Sequence, residues 1–121
     1  PEYCETIASA VIKAFRVQSS ESLPCAAYQG IVKGFLFDTY DKEKAGGTGE
    51  TFDWQLLDTM EIPAGIILAG GLTAENIGAA IAAVRPYAVD VNSGVESSPG
   101  RKDIDKIIQL TAEVKKADQQ Q

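Results

Sequence analysis

Histidine is absent from the sequence, which removes the commonest metal ligand and the commonest general base from any account of what the chain does. Cysteine is scarce: only Cys4 and Cys25 occur, and with no secretory signal at the start they are expected to stay reduced and to serve as small packing residues. Long apolar runs are missing too. The longest, such as Ile66 to Ala69 and Ile77 to Val84, fall far short of the ~20 residues that span a bilayer, so a cytoplasmic location and no membrane partner are expected. Positive charge is the minority sign. Eleven basic residues stand against seventeen acidic ones, a formal charge of −6, and they are scattered, which leaves no footprint for a nucleic-acid backbone.

What is present is ordinary globular composition, 45% hydrophobic over 121 residues, enough for one domain or part of one. The chain opens at Pro1 without a Met, inside a helix-like stretch PEYCETIAS, as expected at a processing or fragment boundary. Four short apolar runs rich in β-branched or aromatic residues read as strands: Val11 to Val17, Val32 to Asp38, Gly65 to Ala69 and Ala88 to Asn92. Helical patterns follow. In Thr73 to Arg85, Ile77, Ala80, Ile81 and Val84 recur at helical spacing, with Thr73 as the expected N-cap, Glu75 in the first turn and Pro86 as the stop. A last helix is expected from near Asp103, with Ile104, Ile107, Ile108, Thr111 and Val114 on its buried face and a frayed tail over residues 117–121. Strand alternating with helix is the mark of βα units and a parallel sheet, and residues 1–121 hold about four such units.

The glycines and acids gather at the C-terminal ends of these strands, the functional edge of both open α/β sheets and barrels. Asp38 closes the second strand, and alternation puts it on one face with Leu36 and Gly34, leaving Phe35 and Phe37 for the face covered by helices. In the mouth of a barrel, partial burial favours the protonated form of a carboxyl group and lets it act as an acid near neutral pH. The plain alternative is an aspartate that closes a turn. Asp38 with Asp41 supplies too few oxygens for a hard cation, so no metal is expected. The Gly46 to Gly49 run is not a P-loop, since Glu50 stands where a Lys would follow the last glycine. It reads as an active-site loop or lid.

The third strand runs into Gly70-Gly71, and the fourth into Asp90 and then Ser93-Gly94. Paired glycines at a strand-to-helix turn expose backbone N–H groups to an anion. Two such turns one βα unit apart, followed by a short extra helix, match the place where barrels hold phosphate; Ser93 to Ser98, ended by Pro99-Gly100, has the length for that helix. Tight turns without a ligand remain the other reading.

Phe37-Asp38-Thr39, Gly46-Gly47-Thr48-Gly49 with Phe52-Asp53-Trp54, Leu68-Ala69-Gly70-Gly71-Leu72 with Glu75-Asn76, and Val89 to Glu96 with Pro99-Gly100-Arg101-Lys102-Asp103 together resemble the phosphoribosylanthranilate isomerase family in order and spacing. The likeness runs from about Val11 to the end, with Asn92 where the family pattern often has Ser. It implies the C-terminal half of a (β/α)₈ TIM barrel, strands five to eight, because a whole barrel needs roughly 250 residues. It also implies an Amadori rearrangement of N-(5′-phosphoribosyl)anthranilate in tryptophan biosynthesis, without cofactor. Asp38 matches the family's general acid, Gly70, Gly71, Ser93 and Gly94 its phosphate cradle, and Asp90 a residue near the ribose hydroxyls. The family's general base is a cysteine on the first strand and its anthranilate-binding arginine follows the second, so neither falls within this chain, and neither Cys4 nor Cys25 inherits the role. A weak catalyst is therefore expected, with two rivals: a sugar-phosphate-binding half-barrel without turnover, and an assembly fragment that self-associates or pairs with the missing N-terminal half.

Overall fold

The computed structural model describes residues 1–17, 23–39 and 54–120. Its centre is one parallel sheet of four strands in sequential order, β1 (Ile12–Arg16), β2 (Gly34–Asp38), β3 (Gly65–Ala69) and β4 (Ala88–Asp90), each inside the run expected to form it. Parallel neighbours require a return connection after every strand. Helices α2 (Gln55–Asp58) and α3 (Ile77–Val84) lie in these returns, α1 (Glu2–Glu5) precedes β1, and α4 (Ile104–Gln119) follows the sheet.

One face of the sheet is aromatic because the period-2 alternation of β1 and β2 puts it there. Phe35 and Phe37 are fully buried, and Phe15 stacks on both at ring-centroid distances of 6.1 and 6.2 Å. Tyr28, from a 3₁₀ turn over Cys25–Tyr28, meets Phe15 and Phe35 edge-on, and the Lys13 ammonium lies 5.1 Å from the Phe15 ring centre. Each aromatic pair is worth about 0.5–1.5 kcal/mol beyond the area it buries. Leu57, Leu68, Ile77, Ala80 and Ile81 extend this core toward the helices, which leaves the opposite face, with Leu36 and Asp38, for other work. Cys25 is buried in the same core and Cys4 packs against it; both are free thiols, and burial pushes the Cys25 pKa above its ordinary value. The neutral thiol packs there as an apolar group.

The structure corrects the sequence reading in three places. Helix α3 starts at Ile77, not after Thr73, because residues 73–76 form a turn: Thr73 O accepts from the amides of Asn76 and Ile77, and Thr73 N donates to Asn76 Oδ1 at 2.8 Å. It ends with Arg85 in the left-handed region (φ 50°), directly before Pro86. The expected extra helix over Ser93 to Ser98 shrinks to a 3₁₀ turn at Ser93–Val95, since Glu96 is already extended. Strands β5 (Glu96–Ser98) and β6 (Arg101–Lys102) form a small antiparallel ladder around Pro99-Gly100.

The third correction concerns α4. It begins after Asp103, near where it was expected to, and Asp103 caps it, accepting from the Lys106 amide at 3.2 Å. Of the expected face only Val114 packs against the core, joined there by Leu110 and Ala117, while Ile104 and Ile108 are 74% and 61% exposed. The helix carries two apolar stripes, and packing takes only one of them. Ala117 lies in that packed stripe, and the helix runs through Gln119. Among the described residues no helix is long and apolar enough to cross a membrane.

Candidate functional site

Strand register brings the acids together. Asp38, Ala69 and Asp90 are cross-strand neighbours at the C-terminal ends of β2, β3 and β4, so the two carboxylates flank Ala69 on one face. Arg16 stands opposite Asp38 on the other side, a cation that sequence reasoning did not single out. The strand ends are tied by Thr39, which is buried; its amide donates to Ala69 O at 2.9 Å, and its hydroxyl lies within hydrogen-bonding distance of the carbonyls of Ala69 (3.1 Å) and Gly70 (3.2 Å).

Beyond β3 the chain turns through Gly70 (φ 90°) and Gly71 (φ 66°), backbone conformations that side-chain-bearing residues rarely adopt. Asn76 holds this turn with both ends of its amide, accepting from Thr73 N and donating to Gly71 O at 2.9 Å. The turn after β4 then packs against it. A Cβ on Gly94 would lie 1.9 Å from the Leu72 carbonyl oxygen, so glycine is demanded there by backbone contact. Gly94→Ala is accordingly expected to cost about 1–3 kcal/mol of stability, read by denaturant unfolding, through a forced shift of one turn. An unchanged unfolding midpoint would show that the two turns are not in contact.

Between the strand ends and these two turns lies a cleft of about 320 Å³, within the usual range for small-ligand sites. Asp38, Gly70, Gly71, Asp90, Ser93 and Gly94, the residues singled out in the sequence, all line it, together with Leu36 and Asn92. Asp41 and the Gly46 to Gly49 loop lie outside the described residues. Among those described, no group of three or more His, Cys, Asp or Glu side chains is placed to hold a metal ion.

The chain matches a known family over most of its length. The sequence model of N-(5′phosphoribosyl)anthranilate (PRA) isomerase matches residues 1–113. The chain belongs to the PRA isomerase family. N-(5′-phosphoribosyl)anthranilate isomerase of Citrifermentans bemidjiense is 50% identical over 117 residues, 96% of this chain and 56% of that protein. The enzyme of the same name from Trichlorobacter lovleyi is 49% identical over 119 residues, 97% of this chain and 57% of its own length. Among solved structures, phosphoribosyl anthranilate isomerase of Thermotoga maritima aligns with a TM-score of 0.70 at 41% identity, covering 88% of this chain and 52% of that one. Another PRA isomerase structure, solved in complex with reduced 1-(o-carboxyphenylamino)-1-deoxyribulose 5-phosphate, aligns with a TM-score of 0.66 at 37% identity, covering 88% of this chain and 49% of its own. The chain thus spans about half the length of the PRA isomerases it matches.

Sequence reasoning missed the residues that hold this site in shape. Thr39 and Asn76 sit inside the quoted family motifs without a role assigned to them, and Lys102 and Glu96 bond across the β5–β6 ladder. Short polar side chains beside the glycine turns were the available signal, since such residues bond to nearby backbone.

Proposed function

We propose that this chain supplies the C-terminal four βα units of a PRA isomerase barrel, strands five to eight, and with them the general acid and the phosphate site. The observation that carries the reading is the shared cleft, which gathers Asp38, Asp90 and the Gly70-Gly71 and Ser93-Gly94 turns at one sheet edge. In this reading the phosphate of N-(5′-phosphoribosyl)anthranilate rests on backbone amides of the two glycine turns, and Asp90 faces the ribose hydroxyls. Asp38 protonates the ribose ring oxygen, the ring opens to an iminium, and a base then removes the C2 proton to give the enolamine. The proton budget needs no cofactor. The family's base and anthranilate-binding arginine belong to the first half of the barrel, so turnover requires pairing with that half. The setting is tryptophan biosynthesis in the cytoplasm, with neither nucleic acid nor membrane as partner.

The phosphate half of the reading is local to the last two βα units and is testable on this chain alone. Titration with ribulose 5-phosphate is expected to move the amide NMR signals of Gly70, Gly71, Ser93 and Gly94. Shifts confined to other residues, or none in a folded sample, would reject the assignment.

A further inference from the structure

The turn that closes the cleft is held from outside by one cation. Lys102 does not line the cleft, yet its ammonium donates to the Asn92 carbonyl at 3.1 Å, to the Asn92 side-chain oxygen, and to Glu96 Oε2 at 3.2 Å. Asn92 is the residue from which the Ser93–Val95 turn starts, and its carbonyl also accepts from Val95 N at 3.3 Å. Glu96 follows that turn, with its side chain only 12% exposed. Its carboxylate accepts from Gly100 N at 3.1 Å as well, while Lys106 donates to the Glu96 carbonyl instead, at 2.8 Å. Lys102 therefore bridges the residue before the turn to the residue after it. Gly94, between them, can approach Leu72 only while that loop keeps its shape.

The geometry points to Lys102 as a positioning residue for the phosphate, acting through Asn92 and Glu96 on the Ser93-Gly94 amides rather than by touching the ligand. The inference rests on the phosphate reading of these turns. Its physical basis is that hydrogen bonds to a charged group are stronger than neutral ones, and that a ligand cradle of backbone amides works only when its supporting shell fixes their direction. Asn92 brings a side-chain carbonyl that Lys102 engages together with the backbone one.

The test compares ribulose 5-phosphate affinity, by calorimetry and amide NMR, in the parent chain and in Lys102→Met and Lys102→Arg. The Met variant, which keeps the length and loses the charge, is expected to bind about tenfold more weakly and to show displaced Ser93 and Gly94 amide signals before ligand is added. The Arg variant keeps a cation with several donors and is expected to bind within about threefold of the parent. A Met variant that binds within twofold of the parent overturns the inference even if its melting temperature falls, because that is what a merely structural lysine would do. An Arg variant as weak as Met also overturns it. Should the Met variant not fold, Lys102→Gln decides in its place: a loss of about threefold supports the role of the charged bridge, and unchanged affinity removes it. A parent chain that does not bind the sugar phosphate overturns the site reading and this inference together, whereas a binding parent with an equally tight Met variant overturns the inference alone.

Discussion

Asp38→Asn, in this chain paired with the first half of a family barrel, is expected to lower kcat by about 10²- to 10⁴-fold while leaving binding of a product analogue within a few-fold. The substitution keeps the size of the side chain at the end of β2 but replaces one carboxyl oxygen with an amide NH₂ that cannot supply the proton of the proposed step. Steady-state kinetics gives kcat, and analogue titration gives binding. A near-normal kcat would take the acid role from Asp38 and leave Asp90, its neighbour across Ala69, as the remaining carboxylate of the cleft. Loss of analogue binding in step with kcat would instead mean that Asp38 anchors the substrate in ground state and transition state alike.

The second large effect concerns the open sides of the sheet. Among the described residues β1 and β4 each have a strand neighbour on one side only, and the exposed large apolar side chains include Tyr3, Ile7 and Ile12 around β1 and Ile104, Ile107 and Ile108 on α4. Monomers rarely expose contiguous apolar patches beyond a few hundred Å², so this chain is expected to associate with itself or with the first half of a family barrel. Full burial of one isoleucine is worth about 1.5–3 kcal/mol, so Ile104→Asp with Ile108→Asp is expected to weaken that association by about 10²-fold or more. Sedimentation velocity over a wide concentration range reads the effect. A parent chain that stays monomeric with sharp unfolding and no dye-binding apolar surface would show that this face needs no cover.

The strands were legible because their signal is local. A run such as Gly65 to Ala69, short, bounded by turn residues and rich in Ile and Leu, fits a buried strand by its length and flanks, and alternation within Gly34–Asp38 was enough to separate the buried Phe35 and Phe37 from Asp38. The same reasoning brought six residues from three strand ends to one cleft. It failed where side-chain bonds to backbone decide the outcome. Asn76 turns the expected first helical turn of α3 into a separate loop, and the Glu96–Lys102 contact pulls the expected extra helix into a ladder. Neither bond leaves a periodic trace in the sequence. On α4 the periodicity was real but doubly present, and packing against α3 and the Ser93–Val95 turn leaves Leu110, Val114 and Ala117 in the core and Ile104 and Ile108 exposed.

The central proposal is that this chain supplies the acid and the phosphate site of a PRA isomerase, and that the base comes from the first half of the barrel. It is tested most directly by assaying N-(5′-phosphoribosyl)anthranilate isomerisation with this chain alone, with the separately produced first half of the Citrifermentans bemidjiense enzyme alone, and with the two mixed. The account predicts negligible turnover from either part and clear turnover from the mixture, abolished when the mixture carries Asp38→Asn. Turnover by this chain alone at the rate of a full-length relative, or a mixture that forms a complex yet stays inactive, would contradict it.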